Sequence, residues 1–532
     1  MLTLNHLSYI HTNGGVLFEN IHLTINSHNK ISLVGNNGSG KSTLLKIIAG
    51  DLSPSAGTVY TNSKIYYVPQ HTGQFNDFTV AQALRVETKL NALHDIINGH
   101  ATEENLTLLS DDWLVEERCN ESLAKWNLDG LDLNTKMKTL SGGQKTKAIL
   151  SGIAIHQPDV VLLDEPSNHL DTDSRSLLYD YVKTSSDTLI VVSHDKTLLN
   201  LLNITCELNQ RGVTIYGGNY DFYYEQKILE ANALSQDLKS KEKELRKAKE
   251  TERESIERKQ KLDARGKKKQ EKAGLPRISI NTLRDSAEKS TSRMKDVHAE
   301  KIIALAQSLS RIRQQIPDTD KMKLNLDNSN LHRGKRLIEL TGINFSYNDQ
   351  FLWSNPLRFS IASGDRAVIR GANGSGKTTL IKILLGEITP QLGTMDHVDM
   401  KSIYIDQDYS LINNLFTVYE QAQHFNKTGL QEHELKIRLN RFLFTKEHWD
   451  QLCQTLSGGE KMRLLLCCLM IGSQAPDLII LDEPTNNLDI QNVEILTDAI
   501  NEYQGTLIVV SHDHHFLEQI NVESEIILIP KK

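Results

Sequence analysis

The 532-residue chain is 39% apolar and 24% charged, with 60 Lys and Arg against 67 Asp and Glu and a formal net charge of −7, a globular composition with length for roughly three to four domains of about 150 residues. The mildly acidic total argues against a uniformly basic nucleic-acid coat. The longest apolar run, from Leu464 to Ile471, is far short of the ~20 residues a spanning helix needs. A pore or permease is thus excluded, and no secretory signal pattern opens the sequence. Five cysteines, with no CxxC, fit a reducing cytosol better than a disulfide framework or a zinc site.

In chain order, Ile31 to Val34 reads as a strand and Ser42 to Ile48 as a helix, with Gly35-Asn36-Asn37-Gly38-Ser39-Gly40-Lys41-Ser42 between them. Strand, glycine-rich loop and helix are the context of a phosphate-binding loop. The glycines let successive N–H groups point at phosphate oxygens, and the helix N-terminus adds positive partial charge. Lys41 is expected to reach the β- and γ-phosphates, Ser42 to hold Mg²⁺, and Thr43 to join the nucleotide contacts. Within 85–125, the spacing of Leu84, Leu90, Leu93, Ile96 and Ile97 predicts a short additional helical element. Leu140-Ser141-Gly142-Gly143-Gln144 follows. The apolar run ending in Asp164-Glu165-Pro places two carboxylates at the end of a buried strand. Asp164 can bind Mg²⁺ through water and Glu165 can polarise an attacking water. The strand Leu189 to Val192 then leads to His194, a candidate γ-phosphate contact.

The same set recurs. The second loop is Gly371-Ala372-Asn373-Gly374-Ser375-Gly376-Lys377-Thr378, followed by Thr379. Leu456-Ser457-Gly458-Gly459-Glu460, Asp482-Glu483-Pro and His512 come after it. Glutamate and histidine lie 29 positions apart in both copies. Two copies of one domain are expected, 1–222 and 335–532, and Lys377, Thr378, Asp482, Glu483 and His512 take the roles of their counterparts.

Between the copies, 225–316 carries 24 Lys and Arg against 15 Asp and Glu, a local charge of +9. Strong helix formers dominate. Ala231, Leu234, Leu238, Leu245 and Ala248 form one sparse apolar stripe, and Ile302, Leu305, Leu309, Ile312 and Ile316 a second. Gly266, Gly274 and Pro276 predict a turn between them. Two long antiparallel helices over 223–334 are expected, the first covering 222–272. Ten basic residues between Arg258 and Arg284 face only Asp263 and Glu271. That density suits RNA phosphates. The absence of aromatics points to shape and backbone contacts with structured RNA.

The ordered set of phosphate loop, glutamine (Gln70, Gln407), Leu-Ser-Gly-Gly, Asp-Glu and histidine resembles the ATP-binding cassette superfamily. A charged hairpin joining two cassettes without a membrane domain is similar to the ABC-F family of ribosome-associated ATPases. Glu165-Pro-Ser-Asn-His-Leu-Asp171 is close to that family's motif, whereas the second copy has Asn487 for the histidine. The resemblance implies an α/β fold: two tandem P-loop NTPase cassettes joined by a long antiparallel helical hairpin, monomeric, with the cassettes paired head to tail. Two ATP would lie between them. Loop 35–42 would face Ser457-Gly458-Gly459 and loop 371–378 would face Ser141-Gly142-Gly143. Gln70 and Gln407 would contact nucleotide and Mg²⁺, adenine would stack on Tyr9 and Tyr347, and both sites would hydrolyse. It further implies a cytoplasmic protein whose partner is the ribosome, through rRNA and P-site tRNA. ATP would close the cassettes and set the hairpin near the tRNA exit and peptidyl-transferase region, for translation regulation or antibiotic resistance. A tandem ATPase subunit of a transporter and a DNA-associated coiled-coil ATPase are the competing readings. A transporter subunit has no evident use for the hairpin, and the coiled-coil class usually has much longer helices.

Overall fold

A computed structural model describes residues 1–11, 14–273, 292, 296–313, 332–347, 350–427, 429–472, 475–486 and 488–531, the side chains of 263 and 266–273 excepted. The chain divides into two compact bodies, Met1–Asp221 with Met322–Lys532, and Phe222–Lys321.

The first cassette begins with β1 (Leu2–Ile10), β2 (Val16–Ile25), β3 (Lys30–Val34), α1 (Lys41–Ala49), β4 (Ala56–Thr61) and β5 (Ile65–Val68). A helical segment follows: α2 (Val80–Ala83), α3 (Glu87–Ile97), α4 (Glu103–Leu109), α5 (Val115–Lys125) and α6 (Gly142–His156). It closes with β6 (Val160–Asp164), α7 (Thr172–Thr184), β7 (Thr188–Val192), α8 (Lys196–Leu199), β8 (Ile204–Asn209) and β9 (Gly212–Tyr216). Six strands form a sheet in the order β5-β6-β7-β3-β8-β9, parallel except for β9. β6 and β7 are buried at every position, as near-continuous apolar runs must be when both faces of a parallel sheet are covered. β2, β1 and β4 make a separate antiparallel sheet.

After α9 (Tyr220–Ala273) and α10 (296–313) comes β10 (Arg336–Asn344), β11 (Ser346–Tyr347), β12 (Gln350–Phe351), β13 (Leu357–Ala362), β14 (Arg366–Arg370), α11 (Lys377–Leu384), β15 (Leu392–His397) and β16 (Ser402–Ile405). Then follow α12 (Val418–Phe425), α13 (Glu432–Arg441), α14 (Gly458–Ile471), β17 (Leu478–Asp482), α15 (Ile490–Glu502), β18 (Thr506–Val510), α16 (His514–Gln519) and β19 (Ser524–Ile527). The parallel order β16-β17-β18-β14-β19 repeats the first sheet strand for strand up to β8. In each copy the phosphate-loop strand is interior, so the loop emerges at the carboxyl end of the sheet, where open α/β sheets bind ligands. Leu33, Leu44, Leu162 and Ile190 share one core, and Ile369, Leu380, Ile480 and Ile508 are their counterparts. Each such side chain contributes about 1.5–3 kcal/mol and fixes the loop against the strands that carry Asp, Glu and His.

Two expectations change. Before α6 the first cassette has four helices, α2 to α5, against α12 and α13 in the second, so the one additional helical element predicted in 85–125 is two. Leu90 and Leu93 are buried, but Ile97 ends α3 and is 69% exposed. Gly266 lies inside α9 and not in a turn. One glycine costs a helix about 1 kcal/mol, too little to interrupt 54 residues of mostly strong helix formers. The basic residues from Arg258 to Lys272 therefore belong to the last turns of α9. Gly274, Pro276 and Ile316 lie outside the described residues. In α10, Leu309 and Ile312 are buried. Arg313 Nη2 donates to Glu242 Oε1 at 2.7 Å, so the end of α10 meets the first half of α9, as in an antiparallel hairpin.

Candidate active sites

Gly35, Gly38 and Gly40 have φ of +153°, +79° and +95°. A Cβ on Gly35 would lie 2.5 Å from Leu208 O, and one on Gly40 would lie 2.7 Å from Leu17 Cδ2. Only glycine permits that path at those contacts. Lys41, the first residue of α1, folds back over the loop, its Nζ donating to Gly35 O at 2.7 Å and Asn36 O at 3.1 Å. Lys377 does the same with Gly371 O at 2.8 Å and Ala372 O at 3.4 Å. Burial lowers the pKa of both ammonium groups, against the raising effect of the glutamate and aspartate in each site. Ser39 Oγ and Ser375 Oγ are buried without hydrogen-bond partners among the described residues.

The register of β6 on β7 sets Asp164 beside Val192, and that of β17 on β18 sets Asp482 beside Val510. Glutamate and histidine 29 positions apart thereby meet. Glu165 N donates to Val192 O at 2.8 Å and Glu483 N to Val510 O at 2.8 Å. Both glutamates are left-handed, at φ +51° and +48°, a conformation that costs a non-glycine residue about 1–3 kcal/mol and marks functional sites. His194 Nε2 lies 3.2 Å from Glu165 Oε1, and His512 Nε2 lies 3.5 Å from Glu483 Oε1. Burial, reinforced by Asp164, pushes the Glu165 carboxyl up to about 8. Burial raises Glu483 to about 7, with Arg175 and Lys377 opposing. Burial and the neighbouring lysine push His194 and His512 down to about 3, so both rings are neutral at pH 7.

Asp164 accepts hydrogen bonds from Ser42 Oγ at 3.1 Å and Tyr67 OH at 3.1 Å, and Asp482 from Tyr404 OH at 3.0 Å. The Ser42–Asp164 pair offers oxygen donors only, the chemistry Mg²⁺ takes. Among the described residues no group of three His, Cys, Asp or Glu could hold a metal alone. Such an ion would therefore need ligand oxygens as well. Sequence reasoning missed Tyr67 and Tyr404, although each stands three positions before Gln70 or Gln407. Gln70, Thr43, Ser42 and Asn37 border a cleft of about 290 Å³ with Lys41, Asp164, Glu165 and His194. Thr378 is the second residue of α11, and Gln407 lies exposed in the turn after β16. Thr379 Oγ1 is 3.4 Å from Tyr347 OH.

The aromatic assignment needs a correction in the first copy. Tyr9 packs on the core, and the ring at the cleft is His11. The Tyr9–His11 pair, at 5.6 Å and 87°, corresponds to Phe345–Tyr347, at 5.1 Å and 66°. His11, not Tyr9, is thus the counterpart of Tyr347, which the constant offset of 336 positions between the two phosphate loops could have revealed.

Ser141 and Ser457 are N-caps of α6 and α14, each in a reciprocal capping box with Gln144 or Glu460. Ser457 Oγ also donates to Glu460 Oε2 at 2.7 Å. Loop 371–378 lies against the first copy's motif: Asn373 Nδ2 donates to His169 O at 3.1 Å. A Cβ on Gly143 would meet that Nδ2 at 3.0 Å. Among the described residues no hydrogen bond joins loop 35–42 to Ser457, Gly458 or Gly459. There the second cassette reaches the loop through the charge of Asp489 on Lys41. Asn487 lies outside the described residues.

The ABC transporter family model matches residues 18–168 and 354–486. A putative ATP-binding protein of Bacillus subtilis, YdiF, is 31% identical over 528 residues, covering 95% of this chain and 76% of the relative. The chain belongs to the ABC-F type of ATP-binding cassette proteins. It is an ABC-type ATPase with two cassettes that bind ATP. Among other ABC-F relatives, the ATP-binding protein Uup of Haemophilus influenzae is 30% identical over 549 residues, covering 98% of this chain and 77% of its own. YbiT of Escherichia coli is 29% identical, covering 95% and 92%. An archaeal ribosome recycling factor, aABCE1, crystallised with a ribosomal stalk protein, superposes with a TM-score of 0.58 at 18% identity, over 97% of this chain and 86% of its own. That likeness shows the fold. No helix among the described residues of this ABC-F protein is long and apolar enough to cross a membrane.

Proposed function

We propose that this ABC-F ATPase works on the ribosome in the cytoplasm and uses ATP-driven cassette closure to set its interdomain hairpin near the tRNA exit and peptidyl-transferase region. The observation that carries the reading is the 54-residue helix α9, within a segment of net charge +9, between two cassettes. It spans about 80 Å at ~1.5 Å per residue, and ATP chemistry itself needs no such element. The structural relative named as a ribosome recycling factor supports the same direction. rRNA and P-site tRNA are the proposed contacts, and translation control or displacement of ribosome-targeting antibiotics the outcome. The proposed domains are 1–222, 223–334 and 335–532.

In the proposed chemistry Lys41 and Lys377 clamp the β- and γ-phosphates. Ser42, Thr378, Gln70, Gln407, Asp164 and Asp482 hold Mg²⁺, which when bound neutralises phosphate charge. Glu165 and Glu483, in their ionised form, orient and deprotonate water, and His194 and His512 contact the γ-phosphate. Ser141-Gly142-Gly143 and Ser457-Gly458-Gly459 close on the opposite ATP. Differential affinity of ATP for the closed state drives the cycle. Sucrose-gradient sedimentation with ribosomes, with and without ATP, is the test. ATP-dependent co-sedimentation is expected. Its absence, with a membrane partner co-purifying instead, would favour the transporter-subunit reading.

A further inference from the structure

The two sites carry repeated motifs but are tied to the opposite cassette differently. At His512, Nε2 lies 3.3 Å from Lys377 Nζ and Nδ1 lies 3.0 Å from Thr172 Oγ1. A lysine ammonium has no lone pair, so Nε2 accepts and Nδ1 carries the proton, pointing at Thr172. Arg175 Nη1, one turn further along α7, lies 3.4 Å from His512 O. Both residues come from the first cassette and act on the second cassette's histidine. At the same distance from the acidic pair, the second cassette has Ile490 and Val493, neither of which can hydrogen-bond through its side chain. In keeping with that, His194 Nδ1 is buried with no hydrogen-bond partner among the described residues.

We infer that Thr172, backed by Arg175, is a positioning residue for His512, and that the 371–378 site is coupled across the cassette seam in a way the 35–42 site is not. A threonine hydroxyl both donates and accepts. It therefore holds the ring in the Nδ1–H tautomer that Lys377 favours and equally in the Nε2–H tautomer needed to donate to a phosphate oxygen. Ile490 offers His194 neither. The inference rests on reading His512 as the γ-phosphate contact, and its test keeps the two apart.

First-turnover phosphate release at saturating ATP resolves the sites, because Glu165→Gln leaves only the second to react and Glu483→Gln only the first. In the Glu165→Gln background, His512→Ala tests the underlying reading. An unchanged rate there would remove that reading and the inference with it. Once His512→Ala is seen to slow release, Thr172→Val in the same background is expected to slow it about five-fold, the factor a missing hydrogen bond commonly carries. The half-saturating ATP concentration should stay within about two-fold, since the hydroxyl acts on the histidine and not on ATP binding. Thr172→Ser should recover most of the rate. In the Glu483→Gln background Thr172→Val should cost clearly less. Equal losses in the two backgrounds, as a misfolded variant would give, or a serine variant no better than valine, would overturn the assignment.

Discussion

Glu165→Gln should stop the first site while making the folded chain harder to unfold, and the second effect can be worked from the structure. Glu165 is 5% exposed, and its carboxyl is pushed from 4.5 up to about 8 by burial and Asp164. With the folded pKa above the unfolded one, the folded state holds the extra proton between those values. The stabilisation is complete below pH 4.5 and is lost as pH rises through 8. The slope is at most about 1.4 kcal/mol per pH unit, so the whole window amounts to at most about 5 kcal/mol. Glutamine keeps the shape and cannot ionise, so its advantage over the parent should widen steadily with pH. His194, lowered to about 3 by burial, titrates in the opposite sense, its stabilising share rising between pH 3 and 6.5. It is present in both proteins and cancels in the difference. Guanidinium midpoints of parent and variant, without nucleotide, between about pH 5 and 8 give the measurement. A midpoint difference that stays constant across that range would refute the buried, protonated carboxyl.

Lys41→Ala with Lys377→Ala should abolish ATP turnover, since both phosphate clamps lose their charge; undiminished phosphate release from the folded double variant would exclude the sites. Glu165→Gln with Glu483→Gln should still bind ATP, accumulate on ribosomes and inhibit cell-free translation, because the amide accepts no proton from water. Normal translation with no ribosome accumulation would contradict release by hydrolysis. Replacing Arg265, Lys267, Lys268, Lys269 and Lys272 with Gln should leave intrinsic ATPase activity near the parent's and weaken ribosome binding. The salt dependence of that binding should flatten by up to about 0.7–0.9 in logarithmic slope for each phosphate that is no longer neutralised. Unchanged sedimentation across a salt series would make those cations a solvated spacer.

The sites were legible in the sequence where one short segment carries the chemistry. A phosphate loop is its own backbone path, so Gly35 to Ser42 and Gly371 to Thr378 announce themselves, and repetition set their order along the chain. What escaped needed a partner from elsewhere. Tyr67 and Tyr404 reach their aspartates only because β5 pairs with β6 and β16 with β17. Thr172 and Arg175 are ordinary helix residues until the other cassette's His512 lies against them. The Tyr9 assignment failed by two positions: counted back from the phosphate loops, Tyr347 matches His11 just beyond β1, and Tyr9 matches Phe345. In α9 the length was readable from helix formers, but the weight given to Gly266 as a breaker was too large for a single glycine.

The identical sequences of β7 and β18, Thr-Leu-Ile-Val-Val in both, bear on how the chain reaches its native state during synthesis. Each strand fits between the neighbours of the other, so a nascent chain holding two open sheets at once could exchange them, a misassembly typical of repeated domains. The first sheet has its last parallel strand at Asn209, and the second cassette does not begin until Arg336. At ~5–20 residues per second the 126 residues between them take about 6–25 s to make, longer than the milliseconds to seconds in which single domains fold. The intervening segment thus gives the first cassette time to fold before the second is made. One β7 is already sealed between β6 and β3 before its duplicate leaves the ribosome.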